Sequence, residues 1–185
     1  MKEIRDIKLE NDEILENTHN ALRDLILNTL SKQNTLTCKH CISPMSFYKE
    51  YCTVKITGAR QIGHTSALVR AALEFSKNAL ILSPNIHMCE NGCKLMVHRF
   101  SEHLKEFDEV CINKYTKYSV ELTDGSKYSF LPLQSYIGRI EHCEDLDAVF
   151  IDCTYRLTAA AEEALYKNVG TAMRNSEQKL FVFVQ

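Results

Sequence analysis

Apolar positions near the start of the chain recur every three to four residues. Ile14, Leu15, Leu22, Leu25, Ile26 and Leu30, with Thr18, share one face of a helix over 12–31, and Asp12 is its N-cap. Residues 32–47 are polar and cysteine-bearing, and Pro44 marks a loop. From residue 52 the period changes. CTVKIT (52–57) alternates as a strand, TSALVRAALEFS (65–76) returns to helical spacing, and NALILSP (78–84) is nearly all apolar, the pattern of a strand buried on both faces. Over 86–107 a broken helical stripe runs through Met88, Leu95, Met96, Phe100, Leu104 and Phe107, and EVCINK (109–114) follows as a strand. YSVELTDGSKYSFLPL (118–133) reads as a hairpin about Asp124-Gly125, a preferred tight-turn pair. LDAVFIDC (146–153) is a buried strand ending in an aspartate, TAAAEEALYKNVGTAMRN (158–175) a helix, and KLFVFV (179–184) a last apolar strand.

Strands alternating with helices require right-handed crossovers and a parallel sheet covered on both faces. The fold class is therefore α/β: a three-layer sandwich with a mainly parallel central sheet, an N-terminal helix and an inserted β-hairpin. Residues 1–43 form an N-terminal helical extension and 44–185 the main domain. At 185 residues, 45% hydrophobic and 25% charged, the chain suits one full core. Six glycines and three prolines exclude long linkers and low-complexity tracts. A net charge of -2 excludes overall attraction to polyanions, although a local basic groove fits within that balance. The opening Met-Lys-Glu-Ile-Arg-Asp is no signal peptide and no apolar run is long enough for a membrane span, so a soluble, cytoplasmic protein is expected.

The eight cysteines of such a protein are expected to be reduced. Cys52, Cys111 and Cys153 border or lie within apolar strands, where cysteine acts as a small hydrophobe. Cys38 with Cys41, and Cys89 with Cys93 near His87 and His98, come closer to ligand spacing. The two pairs are far apart and unequally spaced, so zinc is not expected.

The candidate chemistry lies where strand 52–57 gives way to helix 65–76. Gly58, Gly63 and Thr65 fall where the phosphate-binding loop G-x-x-x-x-G-K-[ST] places them, while His64 takes the lysine position. Glycines let backbone N–H groups turn toward an anion, and the following helix presents its positive end; neither needs a lysine. Thr65 would hold magnesium, and Asp152, at the end of its own strand, would hold it through water. Both lie at the carboxyl ends of strands, where sheets of this class bind ligands. Two parts are missing. An ammonium–phosphate pair at about 4 Å and an effective dielectric near 20 interacts by about 4 kcal/mol, which the shorter imidazole does not match. Cys153 follows Asp152, where a glutamate would activate water, and losing a general base typically costs about 10²–10⁴ in rate. A glutamate restored at 153 together with a lysine at 64 is expected to raise hydrolysis by more than either change alone.

In order and content these pieces resemble the ATPase domain of phage terminase large subunits, DNA-packaging motors related to superfamily 2 helicases. The resemblance spans 44–185 and rests on Arg60-Gln61-Ile62-Gly63-His64-Thr65, on NALILSPN, on LTDGSKYSFLPL with a spacer containing Arg139 before LDAVFID, and on EEALYKNVGTAMRNSEQKLFVFV. It implies that Arg60 senses the terminal phosphate and that Phe47 or Tyr48 lies near the base, although core packing is the role expected of those two aromatics. It also implies that the family's coupling motif and nuclease domain would follow Gln185. The implied phosphate-binding set is Gly58, Arg60, Gln61, Gly63, His64, Thr65 and Ser66, with Thr65 and Asp152 as magnesium ligands and Asp152 and Arg60 as the catalytic pair in an active enzyme.

The function expected is that of a terminase-like P-loop domain of viral origin, which binds nucleotide or phosphate weakly and hydrolyses it poorly or not at all, in viral DNA packaging or handling. Two alternatives stand beside it: an active ATPase fragment completed in trans by another subunit, and a non-enzymatic DNA- or protein-binding module on the same scaffold. ATP and magnesium are the expected cofactors, and DNA and packaging or replication proteins the expected partners, with no membrane.

Overall fold

A strand as apolar as 78–83 needs cover on both faces, and it receives it at the centre of a seven-stranded sheet. A computed structural model describes residues 2–36, 42–57, 64–103, 110–136, 145–153, 156–173, 176–177 and 179–184. Along the chain these form α1 (Lys2–Thr35), α2 (Pro44–Tyr51), β1 (Thr53–Ile56), α3 (His64–Phe75), β2 (Asn78–Ser83) and α4 (Ile86–His103). Then come β3 (Ile112–Thr116), β4 (Ser119–Leu122), β5 (Lys127–Pro132), the short α5 (Leu133–Tyr136), β6 (Ala148–Asp152), α6 (Ala159–Ala172) and β7 (Leu180–Val184).

The strand order is β1-β7-β6-β2-β5-β4-β3. The first five run parallel, and β4 is antiparallel to both its neighbours. The four apolar strands of the sequence are thus consecutive neighbours, and the hairpin extends the sheet on the β2 side. Gly125 takes φ 86° in its turn, a backbone region open to glycine, while Asp124 accepts from the Ser126 N–H and hydroxyl, both at 2.9 Å.

The period of two along each strand sorts the core into two layers. Ala79, Ile81, Ala148, Phe150, Leu180 and Val182 pack toward α3, α4 and the Leu22–Ile26 stretch of α1. Leu80, Leu82, Val149, Ile151, Phe181 and Phe183 pack toward Leu165, Tyr166 and Val169 of α6, with α2 alongside. The architecture is a three-layer α/β sandwich around a mixed, mostly parallel sheet. Among the described residues no helix is long and apolar enough to cross a membrane.

Three expectations change. The first helix begins at Lys2, so Asp12 lies within it rather than at its N-cap position. Pro44 opens α2 rather than marking a loop: its ring fits the first turn, where no N–H is needed, and the Ser43 hydroxyl accepts from the Ser46 N–H at 3.2 Å. The strand placed at 109–114 sits at 112–116.

At the amino edge of the sheet one residue, Asp147, holds the starts of β2 and β7 through its side chain and backbone together. Asp147 Oδ2 accepts from the Lys77 and Asn78 N–H groups at 3.2 and 3.0 Å, and Oδ1 accepts from Ser176 Oγ at 3.0 Å. Its own N–H donates to Asn78 O, and its carbonyl accepts from Leu180 N. Replacing Asp147 by alanine removes its three side-chain hydrogen bonds and is expected to cost about 2–3 kcal/mol. Urea unfolding should show a lower midpoint at unchanged slope, and a loss under about 0.5 kcal/mol would refute this role.

Candidate functional site

β1 and β6 are separated by β7, so their axes stand about 9–10 Å apart. The helix that follows β1 closes that gap. α3 crosses the sheet with its first residues above the carboxyl ends of the strands, and Thr65 Oγ1 donates to Asp152 Oδ2 at 2.6 Å. That length suits a hydroxyl bonded to an ionised carboxylate. The two residues lie 87 positions apart in sequence. The structure therefore brings together the two groups that sequence reasoning had assigned to one site.

Asp152 is only 5% exposed. Burial pushes its carboxyl above the ordinary aspartate range, while the Thr65 hydrogen bond and the charge of a protonated His64 act the other way. His64 is the first residue of α3, half-buried, and its Nε2 is enclosed without a hydrogen-bond partner among the described residues. Ser66 follows, half-buried, in the same turn. No acidic residue occupies that first turn, so its N–H groups keep their affinity for an anion. Gly58, Arg60, Gln61 and Gly63 lie outside the described residues, as does Arg139.

Thr65 and Asp152 offer a hydroxyl and a carboxylate, the hard oxygen donors that magnesium prefers. Among the described residues no group of three or more His, Cys, Asp or Glu side chains could hold a metal ion. Magnesium here would draw the rest of its shell from water and from a ligand's phosphates.

Cys153 is a different matter. Strand alternation sends it to the face opposite Asp152, where it is 3% exposed among Leu157, Leu165 and Phe183. Burial first, and then the Asp152 charge, push its thiol up to about 11. At neutral pH it is an apolar packing group, with neither a thiolate nor a base to offer. Cys89 and Cys93 are fully buried in the layer beneath α4, with the Cys93 thiol pushed up to about 11 and donating to Thr116 O at 3.6 Å. His87 and His98 are exposed, and Cys38 and Cys41 lie outside the described residues.

Tyr48 is part of the packing on α6. Its hydroxyl donates to Gly170 O at 3.0 Å and its ring lies 5.5 Å from that of Phe181. A Cβ at position 170 would stand 2.4 Å from Tyr48 Cε2, so the contact requires glycine. Phe47 stacks on Tyr51, with centroids 6.1 Å apart. Both rings belong to the layer across the sheet from Thr65.

Two features of the site region escaped the sequence. Ser83, 1% exposed, ends β2 one step beyond the Leu82–Ile151 pair and so stands level with Asp152. A polar chain also anchors β1 to α6: Thr53 Oγ1 meets Tyr166 Oη at 2.9 Å, and Glu162 Oε1 accepts from Tyr166 at 3.1 Å and from Lys55 at 2.6 Å. A serine closing an apolar strand was a visible signal for the first. Nothing local signals the second, whose partners come from opposite halves of the chain. Set against known proteins, the sequence matches no protein-family model and no curated protein.

Proposed function

We propose that the protein is a terminase-like P-loop domain of viral origin, which binds nucleotide or phosphate weakly with magnesium and turns it over poorly or not at all. The observation that carries this reading is the Thr65–Asp152 hydrogen bond of 2.6 Å. It joins the start of the helix after β1 to the end of β6, the pairing a magnesium–nucleotide site needs at the carboxyl edge of a parallel sheet. Thr65 and Asp152 would hold the ion, which would neutralise charge on the phosphate oxygens. The first turn of α3 would supply backbone donors to the same anion. Weak turnover follows from His64 in place of an ammonium and from the inert, inward-facing Cys153. Viral DNA packaging or handling in a host cytoplasm, with DNA and packaging or replication proteins as partners, belongs to the same proposal.

Calorimetric titration with ATP, with and without magnesium, followed by phosphate release on the same sample, tests it. Weak binding that requires magnesium is expected, with no release above background. His64→Lys should tighten binding at least tenfold, a gain of about 1.4 kcal/mol, because an ammonium returns beside intact partners. Rapid hydrolysis by the unaltered protein would refute weak turnover. No binding by either protein would remove the nucleotide site altogether.

A further inference from the structure

The contact between α1 and α3 has a histidine at its centre. His19 is 3% exposed, its Nδ1 is buried without a hydrogen-bond partner, and its Nε2 stands 3.4 Å from Glu74 Oε2. The charges around it are already matched. Glu74 of α3 accepts from Arg23 of α1 at 2.6 Å, and Glu16 of α1 accepts from Arg70 of α3 at 2.6 Å. Those four groups, two acids and two bases from both packed elements, leave no spare anion for a third cation. On the same face Leu22 and Ile26 are almost fully buried, so α1 contributes to the core as well as to the surface.

We infer that the docking of α1 on α3 is a pH-sensitive latch, which proton uptake at His19 loosens. A neutral ring fits the interface as an apolar filler with one weak contact. An imidazolium must either stay buried, out of water and beside the Arg70 charge, or draw α1 away to reach water. The direction follows from linkage. Burial, the largest influence, and the Arg70 charge hold the docked ring below its ordinary value near 6.5, outweighing Glu74, Glu16 and a hydrogen bond to the Ala67 backbone. The undocked ring therefore binds its proton first as pH falls through about 6.5. Docking is at full strength above that pH, weakens below it, and levels off once the docked ring also titrates. The consequence reaches α3 near its start, because the His19 ring lies close to the Ala67 backbone, two residues past Thr65.

Native-state hydrogen exchange from pH 7.5 to 5.0, corrected for the intrinsic pH dependence of exchange, tests the latch on the full chain. Amide protection in 16–33 should fall roughly tenfold on acidification while that of β2 and β6 holds, a tenfold change being one pH unit of unmatched protonation. In His19→Leu the fall should vanish. His19→Gln keeps a neutral polar group of similar bulk, serves if the leucine variant misfolds, and should be equally indifferent to pH. An equal fall in either variant, or a flat profile in the unaltered protein, would overturn the inference.

Discussion

Asp152→Asn should abolish magnesium-dependent nucleotide binding and at the same time make the ligand-free protein more stable. Asparagine keeps an oxygen to accept from Thr65 Oγ1 but carries no charge. Burial holds the Asp152 carboxyl above its ordinary range, so the folded state favours the protonated form. A carboxyl shifted that way contributes stability that is complete below its unfolded pKa, near 3.9, and is lost as pH rises through its folded one. At neutral pH the ionised side chain is thus a cost to the fold that the amide removes. The urea midpoint of the variant at pH 7 should rise at unchanged slope, while titration with magnesium and ATP should give no binding heat. A lower midpoint with binding intact would assign Asp152 to the scaffold and refute its place in the site.

Cys153→Glu should unfold much of the protein rather than rescue catalysis. The position after the strand-ending aspartate is where related ATPases carry a water-activating glutamate, and the sequence leads one to expect that restoring it together with a lysine at 64 raises hydrolysis beyond either change alone. The Cys153 side chain, however, is packed in the layer under α6 with Leu157, Leu165 and Phe183. A carboxylate there would be enclosed in an apolar cluster, which costs about 3 kcal/mol or more. Cys153→Val, similar in bulk and apolar, should cost less than about 1.5 kcal/mol. Thermal unfolding of the two variants separates them: comparable midpoints would mean that residue 153 turns readily to water and that the first expectation holds.

The two substitutions mark where sequence was a good guide and where it was not. Apolar runs located β2, β6 and β7, because a strand buried on both faces has no polar side to blur the signal. Asp124-Gly125 located the hairpin through its turn chemistry. The helix start, expected at 65 and found at His64, and the strand end at Asp152 were equally legible, and with them the pair proposed for the site. Strand order was not: β7 fits between β1 and β6 by long-range packing that no local pattern encodes. The orientation of Cys153 was legible in principle, since neighbours on a strand face opposite ways, but motif matching passed over the alternation. Pro44 was read as a break when a preceding serine made it a helix start. His19 and Asp147 take their meaning from partners distant in sequence, and composition gives such residues no mark.

The place of β7 in the sheet also governs when the molecule can be put together. During synthesis β1 emerges early yet has no strand to pair with until 180–184 follows, because β7 fills the slot between β1 and β6. Until then β6 presents an open parallel edge and β1 is an unpaired strand, both exposed to wrong partners in a crowded cell. Pairing across so long a stretch of chain is also slow. A growing chain can therefore assemble β2, β5 and the hairpin at leisure, while the carboxyl edge that carries Thr65 and Asp152 closes last.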